Sequence, residues 1–78
     1  MNYKLVNVEK INSKETFDRS ILIGEVFDVP YMPVVGKRFY APHGEKCLIT
    51  TDVIDIEYDS KGFAVKTKNT IYSFELEV

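Results

Sequence analysis

The sequence predicts an all-β domain: a small bent-strand barrel, SH3-like or OB-like, of 5–6 antiparallel strands ending in a three-stranded meander. Three observations carry this. Val, Ile and Thr total 21 residues, whereas Ala and Leu together total 6. β-Branched side chains lose rotamer freedom in a helix and fit a pleated sheet, and Ala and Leu prefer the reverse. Ten aromatics, five Phe and five Tyr, strengthen the strand signal. Apolar positions then alternate with polar ones along the C-terminal half, a period of two with one apolar face.

The N-terminal strand is expected over about Tyr3 to Ile11. Residues 12–20 read as a polar connection anchored by Phe17 alone. Residues 21–29 read as a strand with Ile21, Ile23, Phe27 and Val29 on one side and Leu22 and Val26 on the other. Apolar residues on both sides imply that both faces are covered, by the rest of the barrel or by a second subunit. Residues 30–44 stand apart: all three prolines, the only His and three aromatics lie there, with Lys37 and Arg38 adjacent. A proline-bounded, aromatic, basic loop suits a binding surface, because loops carry function on rigid scaffolds. The structural alternative has Val35 and Phe39 packing inward, Gly36 making a turn and the prolines stiffening a crossing.

From Cys47 to Ile54 the apolar positions change parity, from Leu48 through Ile49 and Val53 to Ile54. That change predicts a bulge or sharp bend near residues 50–52, the device by which a small sheet curves into a barrel. The meander follows. Ile54, Ile56 and Tyr58 alternate with Asp55, Glu57 and Asp59; Phe63 and Val65 follow; then Tyr72, Phe74, Leu76 and Val78 alternate with Ser73, Glu75 and Glu77. With turns at residues 59–62 and at Lys68-Asn69, Tyr58 faces Phe63, Ile56 faces Val65, Val65 faces Tyr72, Phe63 faces Phe74 and Thr67 faces Thr70. A slip of one residue would turn that whole set outward. Gly62 and Asn69 are read here as residues tolerant of a left-handed backbone. On the other face Asp55 opposes Lys66. Ile49, Val53 and Ile71 fall with the solvated residues and are read as extending a subunit contact, so the chain is expected to form a homo-oligomer.

The chain has 78 residues, 10 Lys+Arg, 12 Asp+Glu and a net charge of −2. That length is one small domain, 1–78. The charge argues against nucleic acid or a membrane surface as partner, since extended nucleic acid needs a denser positive stripe. The most apolar unbroken stretch, Ile21-Leu22-Ile23, neither spans a bilayer nor forms a signal-peptide core. A free thiol and no export signal then predict a cytoplasmic protein. One Cys excludes an intrachain disulfide.

Catalysis and metal binding find little support. His43, Glu45 and Cys47 sit close in sequence, but tetrahedral zinc needs three or four ligands and no second His or Cys exists. Cys47 reads as a small apolar strand residue and His43 as a turn residue; no catalytic residue, metal or cofactor is assigned. Alternating carboxylates read as wet strand faces. Four scattered glycines, at 24, 36, 44 and 62, do not make a phosphate loop.

Three binding readings remain. Arg19, Lys37, Arg38, Tyr40 and His43 are the candidates for a small anionic ligand such as a nucleotide, because arginine forks grip phosphate and aromatic faces stack bases. Tyr31 and Met32, with Tyr40, are the anchors for a protein partner met through the 30–44 loop or a free sheet edge. A nucleic-acid-binding barrel is the third.

Phe17-Asp18-Arg19-Ser20 before an apolar Ile-Gly strand, then Val35-Gly36-Lys37-Arg38-Phe39, Ile49-Thr50-Thr51 and Val65-Lys66-Thr67-Lys68-Asn69-Thr70-Ile71-Tyr72, resemble small uncharacterised β-proteins carried by phages and prophages. The resemblance brings no catalytic residues. It implies a setting in the host cytoplasm, in which a compact protein binds and disables a host defence protein or a nucleotide immune signal.

Overall fold

A computed structural model describes residues 1–11 and 22–77. Among these, seven strands form: β1 (Asn2–Lys10), β2 (Val26–Asp28), β3 (Arg38–His43), β4 (Lys46–Asp52), β5 (Asp55–Tyr58), β6 (Gly62–Lys66) and β7 (Thr70–Leu76). The chain is all-β with more strands than the five or six expected. One antiparallel sheet has the order β2-β1-β7-β6-β5, and β3 and β4 form a second. Among the described residues no backbone pairing closes the two sheets into a ring. Among the described residues no helix is long and apolar enough to cross a membrane.

The meander has the register its alternation requires. Tyr58 faces Phe63, Ile56 faces Val65 and Asp55 faces Lys66 across β5–β6; Phe63 faces Phe74 and Val65 faces Tyr72 across β6–β7. Thr67 N–H donates to the Thr70 carbonyl at 2.8 Å around the turn. The turn chemistry differs from expectation. Neither Gly62 nor Asn69 has positive φ. Asp59 instead shapes its loop, its carboxylate accepting the Lys61 and Gly62 N–H groups at 2.7 and 2.8 Å. Gly62 is required by close approach, because a Cβ there would collide with the Phe74 carbonyl oxygen.

The bend in β4 is also where the parity change places it. Arg38 pairs with Asp52 and Tyr40 with Ile49, so Phe39 faces both Thr50 and Thr51. The Thr50 hydroxyl accepts the Phe39 N–H at 3.0 Å and donates to the Thr51 carbonyl at 2.7 Å. After the bulge, Val53 turns into the core and Ile54 N–H bonds to the Lys66 carbonyl. The chain therefore passes from the second sheet into the first within two residues. This corrects the outward placement of Val53. It also leaves Ile54 and Tyr58 exposed on an edge strand rather than buried.

Upstream, the strand expected over 21–29 shortens to β2. Gly24, at φ +96°, closes a turn in which Glu25 N–H donates to the Leu22 carbonyl at 3.0 Å. Ile23 consequently points to solvent, so the strand does not carry two covered faces. Phe17, Arg19 and Ile21 lie outside the described residues. The 30–44 segment is not one loop. Val29 and Pro33 are buried and hold the crossing, Val35 is exposed rather than inward, and residues 38–43 are β3. A two-residue turn, Gly44-Glu45, joins β3 to β4; Gly44 has φ +60° in the first central position, the geometry of a II′ hairpin.

The core lies between the sheets. Phe39 of the second sheet packs edge-on against Phe63 and Phe74 of the first, with ring centroids 5.8 and 5.7 Å away. Phe63 and Phe74 stack at 5.1 Å. Tyr3 and Phe27 extend the cluster at 4.9 and 6.0 Å. Edge-to-face and offset geometries suit the ring quadrupole, so this cluster fixes how the hairpin sits on the sheet.

Candidate functional site

Strand alternation decides which of the expected site residues share a surface. Phe39 and Ala41 point inward along β3, which turns Arg38 and Tyr40 outward onto one face. Lys37 precedes them and is exposed. Across the ladder, Arg38 faces Asp52 and Tyr40 faces Ile49. The guanidinium position is thus opposed by a carboxylate, and Arg38 and Tyr40 are both exposed.

His43 is not part of that group. It ends β3, five residues from Arg38, a span of roughly 16 Å at strand rise. Its Nδ1 lies 2.9 Å from the Val26 carbonyl oxygen and its Nε2 lies 3.0 Å from Glu25 Oε2. The ring also packs on Phe27 at 5.3 Å. His43 therefore ties the end of the hairpin to the outer edge of β2. The groove beside it, about 400 Å3, is lined by Leu22, Glu25, His43, Gly44 and Glu45. Two carboxylates make it a poor seat for an anion. Cys47 is exposed and faces Pro42, and both imidazole nitrogens have other partners. Among the described residues no cluster of three His, Cys, Asp or Glu could hold a metal ion.

Tyr31 and Met32 lie on the crossing between β2 and β3, held between buried Val29 and buried Pro33. Val29 N–H donates to the Met1 carbonyl at 2.9 Å. With both neighbours anchored, Tyr31 is 55% exposed and Met32 38% exposed. Met32 lines a groove of about 230 Å3 with Tyr3, Tyr58, Phe63 and Leu76, along the Asp59–Gly62 turn. Tyr58 is 62% exposed and Leu76 is 40% exposed. The sequence reading did not find this groove. Its walls come from four separate segments, and the only local signal was a large aromatic at a strand end beside a turn.

The groove abuts the end of β5, the last strand of its sheet. Asp59 N–H bonds inward to the Gly62 carbonyl, so alternation aims the Ile56 and Tyr58 N–H groups outward. Ile56 N–H is met by the Asp55 carboxylate at 2.9 Å, in an exposed setting.

No protein-family model matches the chain, and no curated protein or solved structure matches it significantly.

Proposed function

We propose that the chain is a non-enzymatic binding protein that engages another protein through Tyr31, Met32 and the neighbouring Tyr58–Leu76 groove. The observation that carries this reading is the exposure of Tyr31 and Met32 on a crossing bracketed by buried Val29 and Pro33, beside the exposed Tyr58. Large apolar and aromatic side chains on a firm frame are what protein interfaces use as anchors. The likeness to phage-carried β-proteins supports a partner in the host cytoplasm, with the chain acting as an inhibitor or adaptor in counter-defence. The run of β4 through Val53–Ile54 into β5, and the His43 link between β3 and β2, support reading the two sheets as an opened small barrel of SH3-like or OB-like type.

The test is capture from bacterial lysate on immobilised protein. The wild type should retain a partner that the Tyr31→Ala/Met32→Ala double variant loses. Stability should change by only about 0.5 kcal/mol, as for exposed sites. Retention by the double variant would refute the reading. Homo-oligomer formation is the competing use of the same surface. A mass above 9.0 kDa by light scattering, lost in the same variant, would establish it.

A second reading has its own observation: Lys37, Arg38 and Tyr40 share one open face. That group supports sequestration of a small anion, a nucleotide signal in the phage-like setting, by ion pairing and stacking. It predicts that a nucleotide raises the melting temperature of the wild type and not of Arg38→Ala. Equal shifts, or none, count against it.

A further inference from the structure

The outer edge of β5 is a feature of the surface that the proposed function leaves unassigned. Its partner can be derived from parity and charge. The edge presents the N–H groups of Ile56 and Tyr58 to solvent. Side chains on one face are apolar, Ile56 and Tyr58; those on the other are acidic, Asp55 and Glu57. Among the described residues no strand pairs with this edge.

A second copy is the first occupant to consider, and the geometry rejects it. In an antiparallel pair, residues whose groups point into the new ladder meet residues of the same kind. Here those are the even-numbered positions on both chains. Even then faces even and odd faces odd in every allowed register. Asp55 and Glu57 would oppose one another or their own copies, and directly opposed like charges destabilise a ladder. Acidic edge strands of this sort are a known defence against self-pairing.

The same parity specifies what does fit. We propose that β5 accepts an extended segment of a partner protein in which basic residues alternate with apolar ones. Its apolar side chains continue the Ile56–Tyr58 face, and its lysines or arginines meet Asp55 and Glu57. One partner carbonyl replaces the Asp55 carboxylate on the Ile56 N–H. That carboxylate now occupies the position of a ladder acceptor at 2.9 Å, and once displaced it is free to face a cation. Strand addition draws affinity from main-chain bonds and specificity from alternate side chains. The proposal rests on the protein-binding reading and names the chemistry of the partner.

The probe is a blocked eight-residue peptide alternating lysine and valine, titrated into the full isotope-labelled chain. Amide shifts should centre on residues 54–59. Glu57→Lys should weaken binding about fivefold, from one lost attraction and one new repulsion. A glutamate–valine peptide should not bind. Two N-methylated peptides, one for each alternate set of amides, complete the test independently of any variant: one should lose binding and the other keep it, since only one set points into the ladder. The proposal fails if the lysine peptide leaves the β5 amides unmoved, if the glutamate peptide binds equally, or if both methylated peptides bind like the parent. Failure here with continued loss of capture by the Tyr31→Ala/Met32→Ala variant would remove the edge and leave the apolar surface standing. Loss of neither partner nor peptide shifts would do the reverse.

Discussion

Thr50 holds the bulge together through one hydroxyl, which takes the Phe39 N–H and gives its own proton to Thr51. Thr50→Val keeps the shape and removes both bonds, leaving a buried donor without its partner. The expected loss is about 1–3 kcal/mol in urea unfolding, and Thr50→Ser should recover most of it. Gly62 answers to a different constraint. Gly62→Ala drives a methyl group into the Phe74 carbonyl, at a cost of about 1–3 kcal/mol for overpacking. The two positions differ in how far the sequence reveals them. The bulge shows as a change of apolar parity between Leu48 and Ile54, a local pattern. The need for glycine at 62 arises from β7, twelve residues away across the ladder, and the residues around Gly62 suggest a positive φ instead. Tyr31 and Met32 were legible as exposed anchors because prolines bracket them at 30 and 33. The groove that Met32 shares with Tyr58 was not, since no short-range pattern brings those segments together.

At the scale of elements, the β3–β4 hairpin is attached to the larger sheet by the Phe39 contacts on one side and by His43 on the other. His43→Ala removes the hydrogen bond to the Val26 carbonyl and the contact with Glu25. It should cost about 1–2 kcal/mol and raise hydrogen exchange at β2 and β3 amides more than at β6 and β7, because the loss falls on one seam. Equal acceleration in all strands would show that His43 does not act as a local tie. Element registers were readable where large residues alternate on one face, as in β5 to β7, because a slip exposes the whole set. The extent of β2 was not readable. Its apolar run continues through Leu22 and Ile23, and only Gly24 inside that run signals that the chain turns rather than extends. The outward placement of Val53 failed for a related reason: past a bulge, parity restarts, and counting from either side gives opposite faces.

For the whole molecule, five aromatic rings from both sheets supply the contact that makes one core of two sheets. Phe74 touches three of the others. Phe74→Ala should cost about 3–5 kcal/mol. For a domain of this length the whole stability is on the order of 4–12 kcal/mol, so the variant should be partly or wholly unfolded near 37 °C by circular dichroism. The exposed side chains argued for binding, Tyr31, Met32, Tyr58 and Leu76 with the β5 edge, lie at the rim of this cluster, which the groove meets at Tyr3 and Phe63. Amide hydrogen exchange, compared between the free chain and its captured complex, tests that division most directly. The account predicts new protection at residues 31–34 and 54–62, with the Phe39–Phe63–Phe74 seam unchanged. Protection confined to Lys37–Tyr40 and the facing residues of β4 would contradict it.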